Sequence, residues 1–161
     1  MLARLALSDR ARDLVDDALQ MVSTLDDRPD WPTGYLPQAL IIRAHADRVV
    51  AAAIMHARAQ GSEWAEIAMY VGIRPVSLEQ RWAPEEARWH DLLQRAAHGQ
   101  WPQPSDRHVV FAPDAYASHL DIWAGSHLDA LRMQRWADEG KDAARPVSGG
   151  LSPHPNDPEH R

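Results

Sequence analysis

Cysteine is absent from the 161 residues, which excludes disulfides, thiolate metal sites and cysteine nucleophiles. Lysine occurs once, at Lys141, so arginine supplies almost all of the positive charge. Phenylalanine also occurs once, and seven tryptophans are the main large packing residues among many small alanines. No apolar run is long enough to span a bilayer, and no basic region precedes an apolar leader. We therefore expect a cytoplasmic protein that does not enter membranes.

The negative charge is unevenly distributed along the chain. The formal net charge is −6, with −3 in residues 1–35, zero in residues 36–98 and −3 in residues 99–161. Proteins that coat nucleic acids without sequence preference need a surplus of positive charge against the phosphates. The composition therefore argues against a protein that coats nucleic acids in this way. The central region is neutral, and the regions before and after it are acidic.

Apolar residues recur at three- and four-residue steps through most of the chain, which predicts an all-α fold with one core. Ser8 can cap a first, amphipathic helix. The predicted helices cover residues 8–26, 37–60, 63–70, 75–82, 84–97 and 113–137, with a short extended piece at 109–111. We divide the chain into an N-terminal helix and connector (1–35), a central domain (36–98), a connector and long helix (99–138) and a disordered tail (139–161).

The central region contains two short helical patterns separated by a glycine, in the stretch GSEWAEIAMYVGIRPVSLEQRW from Gly61 to Trp82. Ala68 is small enough for a second helix to cross close behind it, and Gly72 can supply a tight turn. Ile67 and Ile73 are predicted to fill the wedge between the two helices. Ordinary helical bundles contain similar patterns, so a bundle without a binding role is the plain alternative.

Residues 58–82 resemble the helix-turn-helix of transcription regulators, in the version shared by sigma-factor region 4, LuxR-type output domains and many small actinobacterial regulators. The matching parts are Gly61, Trp64, Glu66 to Ala68, Val71 to Ile73 and the ending SLEQRW. The resemblance implies sequence-dependent binding of double-stranded DNA, with the second helix in the major groove. The implied DNA-binding residues are Arg74 and Arg81 on the backbone and Val76, Ser77, Glu79 and Gln80 on base edges.

The sequence departs from this family at the start of both short helices. Arg74 and Pro75 stand where Ser or Thr followed by a polar residue is usual, and Glu63 stands where a Ser or Thr cap is common, although Ser62 can serve one residue earlier. The second interpretation is therefore a protein-interaction module, an adaptor or anti-activator that keeps the helix-turn-helix shape and binds a regulatory protein partner.

Regulators of this kind usually pair through helices outside the recognition motif, so that two recognition helices meet successive turns of the groove. The final helix, with Trp123, Leu128 and Leu131, is the candidate for a homodimer contact. Packing of this helix on its own core is the alternative.

The histidines and the known enzyme motifs are the remaining features that could indicate a metal site or an active site. His119 and His127 can share a helix face, as can His45 and His56, but the i, i+4 spacing of a helical metal site is missing. Phosphate-binding glycine loops, HExxH and the Gly-x-Ser-x-Gly elbow are absent from the sequence. We therefore expect neither catalysis nor a metal or other cofactor.

Overall fold

The computed structural model describes residues 1–22, 35–103 and 108–149. The described residues form helices and no strands, so the predicted all-α fold class is confirmed. None of these helices combines the length and hydropathy needed to cross a membrane. The helices in chain order are α1 (Leu2–Leu19), α2 (Leu36–Ala59), α3 (Trp64–Val71), α4 (Pro75–Ala97), α5 (His108–Phe111), α6 (Pro113–His127) and α7 (Ala130–Asp138).

The buried apolar side chains form two clusters, and α4 contributes to both. One cluster joins α1, α5 and α6 to the C-terminal half of α4, through Trp89 and Leu92. The other joins α2 and α3 to the N-terminal half of α4, through Leu78 and Trp82. Because a single helix carries both sets, α4 sets the position of the α3–α4 turn relative to the N-terminal and C-terminal helices.

The continuity of α4 corrects the prediction of two separate helices, at residues 75–82 and 84–97. Pro84 lies inside the helix, where it removes one backbone hydrogen bond. The carbonyl that loses its partner belongs to Gln80, which is exposed, so it can be hydrated. Trp82 and Trp89 anchor the helix on both sides of the proline, and this packing offsets the lost bond.

The first helix also begins earlier than its sequence pattern indicates. It starts at Leu2, and Ser8 lies within it as an acceptor for the Arg4 side chain rather than as a cap. Burial of Leu5, which is 1% exposed, accounts for the early start. The helix ends at Leu19, and the predicted continuation into residues 23–26 lies outside the described residues.

The C-terminal region differs from the prediction in two places. Residues 108–111 form a helical turn, α5, instead of an extended piece. The predicted long helix is divided into α6 and α7 because Leu128 and Asp129 adopt extended backbone angles, and the Asp129 side chain caps α7 by accepting from the N–H of Leu131 at 3.0 Å. Trp123 remains on α6 and donates its indole N–H to Asp16 of α1 at 2.7 Å.

The beginning of the predicted disordered tail is folded against the protein in this structure. Val147 packs on the first apolar cluster, and Asp121 of α6 accepts hydrogen bonds from the backbone N–H groups of Val147 and Ser148. The prediction of disorder for residues 150–161 lies outside the described residues.

Candidate nucleic-acid interface

The turn between α3 and α4 is built on Gly72, which has a φ of 75° and ends α3 in the left-handed region. The N–H groups of Gly72 and Ile73 both donate to the carbonyl of Ala68, at 2.9 and 3.3 Å. Glycine adopts this backbone conformation without the steric cost that a Cβ would add. The sequence prediction of a glycine turn at this position is confirmed.

One face of the first turns of α4 is fixed in the core. Leu78 is fully buried and Trp82 is 8% exposed, and both pack with Ile67 and Ala68 of α3. Positions four residues apart share a helix face, so this anchoring sets the rotation of α4 about its own axis. The opposite face is consequently turned away from the core.

The opposite face carries three of the six predicted DNA-binding residues. Val76, Glu79 and Gln80 are exposed, and their spacing of three and four residues puts them side by side. No helix in the described part of the chain covers them. The combination offers an apolar group, a carboxylate and an amide, which can contact a thymine methyl, a cytosine amino group and an adenine edge respectively.

The other three predicted residues lie at the edge of this face. Arg74 is exposed at the N-cap of α4, where it forms no capping hydrogen bond, and Pro75 follows it. Ser77 is half-buried. The Arg81 guanidinium is exposed but lies 4.3 Å from the centroid of the Trp82 ring. The structure thus brings Val76, Glu79 and Gln80 together and leaves the two arginines at the two ends of the face.

Arg58 holds the motif together, a role that the sequence analysis missed. Its Nε donates to Glu86 Oε1 at 3.0 Å, its Nη1 donates to the carbonyl of Ser62 at 2.7 Å, and its guanidinium lies 4.6 Å from the Trp64 ring centroid. One side chain of α2 therefore contacts α4, the connection to α3 and α3 itself. A basic residue near the end of a long helix is a sequence feature that points to Arg58. Its partner Glu86 lies on a different helix and cannot be identified from the spacing of residues in the sequence.

The start of α3 differs from its predicted cap. Glu63 is the N-cap residue, and no side chain caps the helix, so Ser62 does not serve this purpose. The acidic Glu66 lies in the first turn of α3, where the helix dipole favours a negative charge.

The end of α3 and the turn expose apolar residues, and Ile73 among them was predicted to be inside. Val71 and Ile73 are 36% and 37% exposed, and Met69 and Tyr70 are 76% and 86% exposed. We call Met69, Tyr70, Val71 and Ile73 the turn patch. Ile67 lies in the wedge between α3 and α4 as predicted, whereas Ile73 is carried outward by the left-handed turn at Gly72.

His127 and His45, two of the histidines considered for a metal site, contact groups on neighbouring residues or helices. His127 Nδ1 donates to the Trp123 carbonyl at 2.8 Å, and its ring stacks on Trp123. His45 lies 3.2 Å from the Asp17 carboxylate and 3.1 Å from the Arg48 guanidinium. Within residues 1–22, 35–103 and 108–149, no group of three or more His, Asp or Glu side chains is placed to hold a metal ion.

No protein-family model, curated protein or solved structure matches this chain.

Proposed function

We propose that this protein binds double-stranded DNA in a sequence-dependent manner, in transcriptional regulation, by placing the start of α4 in the major groove. The observation that carries the proposal is the division of α4 into two faces. Leu78 is fully buried, whereas Val76, two residues earlier, is 63% exposed. Direct contact with bases requires a rigidly held helix whose exposed face carries both apolar and hydrogen-bonding side chains.

The proposal gives different roles to the arginines and to the central face. Arg74 and Arg81 hold the phosphate backbone from the two ends of the face, which fixes the position of α4 in the groove. Val76, Ser77, Glu79 and Gln80 contact bases. The overall charge of −6 favours a small number of specific contacts over extensive backbone coverage.

The test is selection of genomic DNA fragments by the purified protein, followed by titration of the best fragment against salt. We expect enrichment of one sequence and binding that weakens as the salt concentration rises. An Arg74→Ala/Arg81→Ala double variant should weaken binding to all sequences and reduce the salt slope by about two, since each phosphate contact contributes about one. Failure of the folded protein to enrich any sequence at low salt would refute the proposal.

The matched control is an Arg88→Ala/Arg95→Ala double variant, which removes the same charge further along α4. Arg88 and Arg95 form helical ion pairs with Glu85 and Asp91 and lie beyond the proposed DNA face. This control should bind the selected fragment with nearly the affinity of the wild type. An equal loss in both variants would mean that only net charge matters, which contradicts sequence-dependent binding through Arg74 and Arg81.

A homodimer is part of the proposal, because two recognition helices on successive turns of the groove bind more specifically than one. In the described residues, α7 contacts no other helix, and its Leu131 is 77% exposed. Trp123 is committed to α1 within the same chain, so we assign the contact to Leu131 rather than to Trp123. Sedimentation of wild type and Leu131→Glu tests this: the wild type should be dimeric and the variant monomeric.

A further inference from the structure

The turn patch is a concentrated exposure of apolar side chains beside the proposed DNA face. Met69 and Tyr70 are 76% and 86% exposed on the last turn of α3, and Ile73 in the turn lines the same depression as Met69. Isolated exposed apolar residues are ordinary on protein surfaces, but a contiguous group of them marks an interaction site. Phosphate contacts require hydrogen-bond donors and positive charge, which Met69, Val71 and Ile73 do not supply.

A shallow depression gives the turn patch a shape that can hold a side chain. It has a volume of about 380 Å³ and is lined by residues that include Met69, Gly72, Ile73 and Pro75. The exposed backbone at Gly72 contributes to the depression, because a Cβ there would meet no other atom within 4 Å. An apolar side chain of moderate size fits such a depression and would remove part of Met69 and Ile73 from water.

The charge at the edge of the depression identifies the partner more closely. Arg74 is the charged residue that lines it, and among the described residues Arg74 forms neither an ion pair nor a side-chain hydrogen bond. A guanidinium at the edge of an apolar depression pairs well with a carboxylate, which it can bind through two parallel hydrogen bonds. The complementary group is therefore an apolar side chain with a carboxylate beside it.

We propose that the turn patch and Arg74 form a docking site for an acidic, apolar segment of another protein. The segment places an apolar side chain in the depression between Met69 and Ile73 and a carboxylate on Arg74. This site goes beyond DNA binding and gives the protein-interaction interpretation a definite location. Since Met69 and Tyr70 lie outside the proposed base-contacting set, the two activities can be measured separately.

The experiment is selection of displayed random-sequence peptides on the immobilised full-length protein. We expect enriched peptides to combine an apolar residue with a nearby Asp or Glu. One enriched peptide, made synthetically, should bind a Met69→Ser/Tyr70→Ser variant at least about ten-fold more weakly than the wild type, as expected for loss of central apolar contacts. Ile122→Ser is the matched control, because Ile122 is 72% exposed on α6, away from the turn, and its replacement should leave binding unchanged.

A charge reversal tests the role of Arg74 directly. Selection on Arg74→Glu should enrich peptides with Lys or Arg in place of the acidic residue, whereas a purely structural role of Arg74 would not change the preferred charge. Circular dichroism establishes that each variant is folded. The proposal is overturned if the folded wild type enriches no peptide. It is also overturned if the peptide binds the wild type and the Met69→Ser/Tyr70→Ser variant equally. A third contrary result is a variant that loses DNA binding while the wild type selects no peptide. The last result would assign the turn patch to the DNA interface, and DNA selection on the wild type still tests the DNA proposal by itself.

Discussion

Arg58 of α2 and Glu86 of α4, 28 residues apart in sequence, are joined by a hydrogen-bonded ion pair of 3.0 Å. Both side chains are largely shielded from water, with 24% and 18% of their surface exposed. The pair links the long helix that precedes α3 to the helix that carries the proposed DNA face. Because Arg58 also binds the Ser62 carbonyl, its loss also affects the connection between α2 and α3.

Arg58→Ala should therefore destabilise the protein. The variant loses charge-assisted hydrogen bonds and leaves the Glu86 carboxylate unpaired, which we expect to lower the free energy of unfolding by about 1–3 kcal/mol. Urea denaturation measures the change. Arg88→Ala is the control, because Arg88 is 75% exposed in its pair with Glu85, and such surface pairs contribute less than about 1 kcal/mol. Equal effects of the two substitutions would show that the Arg58 contacts do not support the fold.

The helical class and the glycine turn could be predicted because they depend on local signals. Helical periodicity is visible in the sequence, and a glycine between two short helical patterns is the usual way to reach a left-handed turn. The buried face of α2 is harder to predict from the sequence. Ala52 and Met55 are buried, whereas Ala53 between them is exposed. In an alanine-rich helix the two faces differ little in hydrophobicity, so periodicity defines the buried side poorly.

The missed features of the candidate site depend on contacts between distant residues. Pro84 predicts a helix end by local rules, whereas α4 continues through it, with Trp82 and Trp89 buried on either side. Ile73 is apolar and follows the turn, so a core position was the natural prediction. Its 37% exposure follows from the direction in which the left-handed Gly72 sends the chain, which residue type alone does not determine.

Gly72→Ala tests the turn through its backbone alone. A Cβ at Gly72 would meet no atom within 4 Å, so the cost comes from the φ of 75° and should be about 1–2 kcal/mol of unfolding free energy. Gly125→Ala is the opposite case, because Gly125 lies inside α6 with equally open surroundings. Replacing a helical glycine with alanine should stabilise the protein by about 0.5–1 kcal/mol. Thermal unfolding of both variants should show melting temperatures that move in opposite directions, and a shared direction would contradict the assigned conformation of Gly72.

His56 should make the stability of the protein depend on pH. Burial, together with the positive charges of Arg4 and the amino terminus, holds the pKa of His56 below its ordinary value. Its Nδ1 is buried and has no hydrogen-bond partner among the described residues. In the unfolded chain the histidine titrates near its ordinary pKa of about 6.5, so below that pH the unfolded state binds more protons than the folded state. The free energy of unfolding should therefore fall as the pH drops through about 6.5 towards the pKa of the folded state.

His56→Gln should remove this part of the pH dependence, because glutamine does not titrate. Arg4→Gln should reduce it, since one of the charges that disfavour the imidazolium is lost. Urea denaturation at a series of pH values between about 7 and 5 covers the range below the ordinary histidine pKa. A His56→Gln variant whose stability falls with the wild-type slope would show that the dependence originates in other groups.

Asp121 should determine whether residues 141–149 stay on α6. Its Oδ1 accepts from the N–H groups of Val147 and Ser148, at 2.7 and 3.0 Å, and its Oδ2 accepts from the Ser148 hydroxyl. Asp121→Ala removes every one of these acceptors, and among the described residues Val147 then keeps its apolar packing on the first cluster. We expect faster amide hydrogen exchange at Val147 and Ser148, with little change in α1 or α4, because local opening requires only the loss of these contacts.

Asp114→Ala is the control for Asp121→Ala, because it removes an exposed carboxylate from the first turn of the same helix. Asp121→Asn separates charge from hydrogen bonding: one acceptor oxygen remains, so exchange at the two amides should be intermediate between wild type and Asp121→Ala. Unchanged protection of Val147 and Ser148 in Asp121→Ala would mean that the packing of Val147 alone holds the segment. An acidic side chain within a helix can thus fix a chain segment of weak helical propensity, because the carboxylate satisfies backbone donors that a turn leaves unpaired.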